Sequence, residues 1–548
     1  MTDGATMGPL LDEFIAWYFD HNPIAASTLG AEGFDDRLGD FSAAGFQAIE
    51  SGRDRWLARF RAVDGELSLD DGIDRDLVVA MLAGEAALAD WPVWRRDPAA
   101  YLVPLFNALY TPFLNRLRPE AELVVAAVAR LRQVPDVLAA CRANLDPELS
   151  SPLLVRRSVL QARAGRGFVT AALPGEVSDK ALRERLRSAA EPAAEAFDEI
   201  VGFLTGFAER ATGDWRMGER RYSAVLRDRE LLDLDTAALH RRGLEVWGEL
   251  DAELSELAAR LDDDSNGSGG SSGWRGVLDR LADDHPPTLD AMREEYDAET
   301  QRARQFLADH RLVSFADGES CRVVPSPVFQ RPIFAVAFYN APPPLAASRR
   351  GHFFVPYTPD GYTEAQVRAR LRNNARPQLP STAVHEAYPG HHWHLSWMAN
   401  TPRTIRVIMR TAYFAEGWAL YTERLMREQG YFTTLEQELA HLEARIFRAA
   451  RIVVDTALHT GDMTVEQAEE FMSTKGTLNA ETARVEVNRY CAWPTQAPSY
   501  LTGCLEIERI RADYLAAGRG GLREFHDQLA GSGSLPLGLA RRAVMSAN

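Results

Sequence analysis

Histidines and a glutamate crowd one short segment, S-T-A-V-H-E-A-Y-P-G-H-H-W-H (381–394). It holds four of the chain's 12 histidines and one glutamate: His385, Glu386, His391, His392 and His394. An adjacent His-Glu pair on a helix begins the zinc-peptidase pattern H-E-x-x-H, in which two histidines bind the ion and the glutamate is the general base. The segment therefore predicts a zinc site with His385 as a ligand and Glu386 as the base.

The spacing of the second histidine departs from that pattern. His391 and His392 follow His385 at i+6 and i+7, so on a regular helix the first would face the wrong way and the second would lie about 10.5 Å further along the axis. Pro389 and Gly390 predict a break in the helix, which would return His391 or His392 to the ion. The alternative interpretation is a polar corner between two helices, where the histidines only form hydrogen bonds.

A third ligand is expected from A-Y-F-A-E-G-W-A-L-Y-T-E (412–423). Glu416 and Glu423 lie seven residues apart, on one face of an otherwise apolar predicted helix. A buried carboxylate is costly unless it is paired or bound to a metal. We therefore predict Glu416 as the third ligand and Glu423 as a carboxylate that orients a ligand histidine. The alternative is that both form ion pairs with arginines.

Two later segments add polar side chains. The first places three of them at i, i+4 and i+8 of a helix: Arg451, Asp455 and His459. They indicate either a structural ion-pair network or outer support for the metal site. The second segment supplies donors that could stabilise an oxyanion, although such residues are also common in cores: Arg489, Tyr490 and Tyr500.

The elements that must position these residues are mostly helices. Helical periodicity prevails over 8–30, 42–212, 235–261 and 288–309 and returns in 412–427 and 448–459. Strand-like sequence is confined to 322–324, 333–339 and 352–355. These strands predict a small sheet beside the histidine-rich helix, which either pairs with an extended substrate or only covers the core. We expect a mainly α, large, elongated, two-lobed chain: one unit over 1–548, with a scaffold lobe (1–230) and a metal-site lobe (231–548). The Gly- and Ser-rich segment 262–273 is predicted to be a flexible loop.

Composition and charge argue against some other classes of protein. The formal charge is −17, from 61 basic and 78 acidic residues, and no Lys/Arg-rich run occurs, which argues against nucleic-acid binding. The first residues have no signal-peptide pattern and no long apolar run occurs, so we expect a cytoplasmic protein without membrane contact.

Four motifs together resemble one bacterial family, domain of unknown function 885, a relative of the zincin-type peptidases: H-E-A-Y-P-G-H-H (385–392), E-G-W-A-L-Y-T-E (416–423), R-I-V-V-D-T-A-L-H (451–459) and R-Y-C-A-W-P-T-Q-A-P-S-Y (489–500). The family is similar in fold to the helical thimet-oligopeptidase-like and carboxypeptidase-like gluzincins. The resemblance implies a zincin-like fold with one Zn²⁺ per chain. It also implies His385 and Glu416 as ligands, Glu386 as the base, and His391 rather than His392 as the second ligand.

By the same resemblance, Arg489, Tyr490 and Tyr500 would line the cleft. The family usually reads P-G-Q-A-L-A-Y-K where this chain has P-T-Q-A-P-S-Y-L (494–501). Because Pro498 is gained and Leu501 replaces a basic residue, the substrate contacts are expected to differ from those of the family.

The expected function is zinc-dependent hydrolysis of an amide or peptide bond in a short peptide or peptide-like small molecule, by water that Glu386 activates. One alternative is a metalloenzyme of specialised metabolism that acts on a non-peptide substrate by amide cleavage, a lyase reaction or cyclisation. The other is a helical binding protein without catalysis. The sequence leaves the oligomeric state open.

Overall fold

A computed structural model of the chain describes residues 7–264, 273–331 and 336–546. These residues are mainly helical, as predicted. The helices up to the first gap are α1 (Met7–His21), α2 (Pro23–Leu29), α3 (Ala43–Arg61), α4 (Leu69–Ala86), α5 (Val93–Arg96), α6 (Ala99–Asn115), α7 (Glu120–Leu131), α8 (Val134–Asn144), α9 (Pro152–Gly167), α10 (Leu173–Gly175), α11 (Lys180–Ala208), α12 (Glu219–Ala224) and α13 (Thr236–Asp264). The later helices are α14 (Gly273–Leu281), α15 (Leu289–His310), α16 (Glu364–Arg372), α17 (Leu379–Glu386), α18 (His391–Met398), α19 (Thr404–Ile408), α20 (Ala412–Glu428), α21 (Leu435–Thr460), α22 (Val465–Thr474), α23 (Ala480–Ala492), α24 (Ser499–Ala516), α25 (Leu522–Gly531) and α26 (Leu537–Ser546).

The predicted loop 262–273 is only partly within the described residues. Helix α13 continues to Asp264 and α14 begins at Gly273, and the intervening residues 265–272 lie outside the described ranges. No helix among the described residues is both long enough and apolar enough to span a bilayer.

The chain divides into two compact units that are discontinuous in sequence. The first unit comprises residues up to Glu66, Leu82–Trp215 and Pro343–Ser348, and the second comprises Leu67–Met81, Arg216–Pro342 and the residues from Arg349 onward. This division differs from the predicted lobes 1–230 and 231–548, since residues 67–81 and 216–230 belong with the later part of the chain.

The first unit is a helical body built around α11, which packs against α7, α8 and α9. Its core consists of apolar residues at helical spacing, among them Leu105, Val128, Phe197 and Leu204. Burial of these side chains supplies the main driving force for packing the helices together.

The second unit contains the histidine-rich segment, and its helices α20 and α24 touch at their backbones. A Cβ atom added to Gly503 on α24 would lie 1.9 Å from the carbonyl oxygen of Tyr413 and 2.8 Å from the Cα of Gly417, both on α20. Only glycine permits so close an approach. The contact brings Tyr500, at the start of α24, beside the helix that carries Glu416.

A three-stranded sheet completes the second unit, with strands β1 (Ser320–Pro325), β2 (Phe338–Asn340) and β3 (Arg350–Val355) in the order β1-β3-β2. Strand β3 runs parallel to β1 and antiparallel to β2. The strands predicted at 322–324 and 352–355 are confirmed. Of the strand predicted at 333–339, residues 338–339 lie in β2, and residues 333–335 lie outside the described ranges.

Candidate metal centre

Three helices of the second unit bring the three predicted ligands together. His385 is the last residue but one of α17, His391 begins α18 and Glu416 lies in the second turn of α20. The potential ligand atoms of these residues all lie within 4.8 Å of one another. A carboxylate oxygen of Glu416 is 3.3 Å from Nε2 of His391 and 3.9 Å from Nε2 of His385. The two imidazole rings are perpendicular, with centroids 4.9 Å apart.

The break between α17 and α18 explains how His391 returns to His385. The chain leaves the helix at Ala387, where φ is −113° and ψ is −86°. The amide of Gly390 then donates to the carbonyl of Val384 (3.0 Å), and the indole of Trp418 donates to the carbonyl of Pro389 (2.8 Å). A Cβ at position 390 would lie 2.0 Å from the carbonyl oxygen of His385. The turn therefore requires glycine, and it starts a new helix with His391 as its first residue.

Glu423 fixes the orientation of His385. Its carboxylate lies 2.7 Å from Nδ1 of His385 and also accepts a hydrogen bond from the Ser381 hydroxyl (2.5 Å). Nδ1 of His441 lies 3.5 Å from the same carboxylate. Because the proton on Nδ1 of His385 points at Glu423, the lone pair of Nε2 faces His391 and Glu416.

The pKa values of two carboxylates of the site are shifted in opposite directions. Burial alone would raise the pKa of Glu416, but the hydrogen bond from His391 and the nearby imidazole charges outweigh it and lower the pKa to about 2. Burial raises the pKa of Glu386, and the charges of His385 and His391 only partly oppose this. Glu416 is therefore an anion at neutral pH, while Glu386 is displaced toward the protonated form. Glu386, His391 and Glu416 are half-buried, whereas His385 is buried.

His392, the alternative second ligand, lies elsewhere. Its Nε2 is 2.7 Å from the Glu319 carboxylate and its Nδ1 is 2.9 Å from the Tyr339 hydroxyl. The same carboxylate accepts from Tyr388 (2.5 Å) and pairs with Arg304 (2.9 Å). Burial opposes the ionised form of Glu319, yet the hydrogen bonds from His392 and Tyr388 lower its pKa to about 2. The prediction of His392 as a ligand is thus not supported by its position, because the side chain ties α18 to the sheet.

His394, the last histidine of the segment, is fully buried against Phe414, with Nε2 3.3 Å from the Ser534 hydroxyl. Burial lowers its pKa to about 3, so it is neutral at physiological pH. It is a core residue of the second unit and lies outside the ligand group.

Two members of the polar stripe on α21 join elements of the second unit. The Asp455 carboxylate accepts from the Tyr222 hydroxyl (2.6 Å) and from the amide of Thr495 (3.1 Å). His459 accepts at Nδ1 from the amide of Met217 (3.2 Å) and donates from Nε2 to the carbonyl of Tyr490 (3.0 Å). Arg451 differs, because its guanidinium lies over the Tyr500 ring, 4.9 Å from the centroid. These contacts favour structural support for Asp455 and His459 and outer support of the candidate site for Arg451.

The three predicted cleft residues occupy different positions. Tyr500 lies beside the ligand group, its ring nearly parallel to that of His385 with centroids 6.5 Å apart. Tyr490 is fully buried, and its hydroxyl lies 2.9 Å from Glu486 and 3.2 Å from Arg451. Arg489 is half-buried and bonded to Glu486 (2.8 Å) and Gln496 (2.6 Å). Of the three, Tyr500 is therefore the residue that lies beside the predicted ligands.

Some residues around the site have no sequence signal that points to it. Ser381 and His441 hold Glu423, and Glu319 holds His392, but these partners lie 42, 18 and 73 positions apart. Local periodicity carries no information about such pairs. Arg448 is different, because it lies three residues from both Arg445 and Arg451 on one helix, a spacing that is visible in the sequence.

The chain belongs to the family described as "Bacterial protein of unknown function (DUF885)", whose model matches residues 23–544. One similar solved structure is "a putative lipoprotein of unknown function" from Shewanella oneidensis: 21% identity, TM-score 0.82, 99% of this chain and 100% of that one. Another is a "putative lipoprotein" from Colwellia psychrerythraea: 17% identity, TM-score 0.83, 98% of each chain. These likenesses show a shared fold. No curated protein matches the chain.

Proposed function

We propose that the chain is a zinc-dependent hydrolase that cleaves an amide or peptide bond in a short peptide or peptide-like small molecule. The observation that carries the proposal is the convergence of His385, His391 and Glu416 from three helices, with Glu386 next to the first ligand. A zincin-like, two-lobed architecture is part of this proposal.

The donor set fits a catalytic zinc ion. Two imidazole nitrogens and one carboxylate oxygen are the protein ligands of several hydrolytic zinc sites, and three protein ligands leave a coordination position for water or substrate. Glu423 directs the lone pair of His385 toward the other ligands. One Zn²⁺ per chain would be held by His385, His391 and Glu416.

A bound ion would supply Lewis-acid polarisation of a carbonyl and would lower the pKa of an attacking water. The chain's own residues would handle the proton. The Glu386 carboxylate accepts it from the water and delivers it to the leaving nitrogen, and its raised pKa suits it to the second step. The Tyr500 hydroxyl is the candidate donor toward the developing oxyanion.

Metal content tests the site directly. We expect about one zinc per chain in the purified protein, lost in His385→Ala and in Glu416→Ala, because three protein ligands define the site. His310→Ala, a change at an exposed histidine of α15, is the matched control and should keep its zinc. Elemental analysis of all four proteins provides the measurement. Zinc that persists in both ligand variants would refute the assignment.

A library of short peptides and acylated amines tests the activity. Glu386→Gln should keep its zinc and lose roughly 10²–10⁴-fold in rate, and a chelator should abolish hydrolysis until zinc is restored. A protein that binds zinc but cleaves no peptide would favour chemistry on a non-peptide substrate. A protein without zinc or activity would favour the binding-protein alternative.

The cytoplasmic location expected from the sequence also stays a proposal. Two similar structures carry the name lipoprotein, and that name describes those proteins. Fractionation of cells that express the native gene, with an antibody to the chain, decides between cytoplasm and membrane fractions.

A further inference from the structure

Helix α21 carries three arginines at intervals of three residues, and the middle one differs from its neighbours. Arg445 pairs with Glu508 (3.4 Å), and Arg451 pairs with Glu486 (3.0 Å). Arg448 donates from one terminal nitrogen to the carbonyl of Ala444 (3.0 Å), one turn earlier on its own helix. Its Nε is buried without a hydrogen-bond partner. Among the described residues, no carboxylate lies within salt-bridge distance of it.

Arg448 is close to the candidate metal centre. Its guanidinium carbon is 5.9 Å from the centre of the Tyr500 ring, and the His385 ring lies 6.5 Å from the same point. Arg448 and His385, the first of the proposed ligands, therefore have the Tyr500 ring as a common neighbour.

Two carboxylates on neighbouring turns bond to groups other than Arg448. Glu423 is already bound by Ser381, His385 and His441. Glu443 bonds to Thr477. A guanidinium that is half-buried and holds an unsatisfied N–H has lost hydration without full replacement. An anion that reaches it gains charge-assisted hydrogen bonds, and a carboxylate matches the planar fork best.

We propose that Arg448 binds a carboxylate of the substrate, so that the enzyme selects amides with a free carboxylate near the scissile bond, such as peptides with an unblocked C-terminus or an acidic side chain next to the bond. This inference rests on the proposed function, since it assumes that the substrate sits at His385, His391 and Glu416. Arg448 would determine specificity, while Glu386 and the metal ligands carry out the reaction.

Paired hydroxamates test the inference by binding. Each pair consists of a hydroxamate with a terminal carboxylate and its uncharged methyl counterpart, and the chain is lengthened by one methylene from pair to pair. The hydroxamate end anchors both members at the zinc, so their affinity ratio reports the carboxylate alone. In the zinc-loaded protein, calorimetry should show roughly 10- to 100-fold tighter binding of the acid at one chain length, the value expected for a charged hydrogen bond.

Substitutions at Arg448 test whether the preference for the carboxylate depends on this residue. Arg448→Met should bring the ratio to about one while zinc content stays unchanged, and Arg448→Lys should keep part of the preference because the charge remains. Arg424→Met is the matched control, since Arg424 is a half-buried arginine on α20 that bonds to Glu428, and its ratio should equal that of the unaltered protein. If Arg448→Met does not fold, the Arg448→Lys ratio decides.

The outcomes separate the two proposals. A ratio near one in the unaltered, zinc-loaded protein, or a preference that survives in Arg448→Met, overturns the role of Arg448 and leaves the hydrolase proposal standing. A purified protein that binds no zinc overturns both. If hydrolysis is found, peptides with free C-termini should lose their advantage over the corresponding C-terminal amides in Arg448→Met only.

Discussion

Glu423 is the residue on which the orientation of His385 depends. It lies 2.7 Å from Nδ1 of that histidine, and it is 2% exposed. A carboxylate in this position fixes the tautomer of the ligand and raises its basicity. Its contribution to the proposed metal binding is therefore separable from that of the proposed ligands.

We expect Glu423→Gln to weaken zinc binding by roughly 10- to 100-fold, because an amide oxygen holds the His385 proton less strongly than a carboxylate does. Competition with a chromophoric chelator provides the dissociation constant. Glu428→Gln is the control on the same helix, since that carboxylate pairs with Arg424 and Arg511 and does not contact the site. Equal zinc affinity in the two variants would contradict the role assigned to Glu423.

At the scale of single residues, the sequence predicted those candidate site residues that are recognisable from local spacing. Proline and glycine after His385 predicted a break that returns His391 or His392 to the site, and only the family resemblance favoured His391. The seven-residue interval led to Glu416 and Glu423. The contacts of His392 and of Asp455 were not predictable, since Glu319 and Tyr222 are remote in sequence. Which of two adjacent histidines faces the ligand group depends on the exact path of four non-helical residues, and helical periodicity does not specify that path.

At the scale of elements, the turn between α17 and α18 determines whether two imidazoles meet. The sequence predicted that the helix would break there, because proline and glycine are poor helix formers. It did not predict the close contact between Gly390 and the carbonyls of Val384 and His385, because that contact depends on the direction in which the chain turns.

Gly390→Ala should therefore abolish zinc binding and destabilise the protein by about 1–3 kcal/mol, since the added Cβ forces the backbone of the turn apart. Zinc content and the midpoint of urea denaturation measure the two effects. Gly248→Ala on α13 is the matched control, as nothing lies within 4 Å of a Cβ there, and it should stabilise the helix by up to about 1 kcal/mol. A Gly390→Ala protein with full zinc content would contradict this account of the turn.

At the scale of the whole molecule, the second unit gathers segments from distant parts of the sequence. Residues 67–81 belong to it although they precede most of the first unit. They are held by a buried ion-pair cluster in which Asp74, fully buried, contacts Arg406 (2.5 Å) and Arg403 (3.1 Å). Composition and periodicity predicted two lobes. They did not predict that residues 67–81 belong to the second unit, because charged residues on separate helices give no local sign of their partners.

Asp74→Asn should destabilise the protein by about 3 kcal/mol, because it leaves the buried Arg406 with less compensating charge. Asp71→Asn removes a more exposed partner of Arg403 and should cost less than about 1 kcal/mol. Urea denaturation followed by tryptophan fluorescence compares the two variants with the unaltered chain. Equal losses in both would show that residues 67–81 are attached only loosely.

The glycine contact between α20 and α24 also has a genetic consequence. Every amino-acid replacement at position 417 or 503 introduces a Cβ, and at 503 that atom would meet the backbone of α20 at 1.9 Å. Every missense change at codon 503 therefore disturbs the packing of α24 against α20. This codon is constrained by backbone geometry, independently of any selection on function.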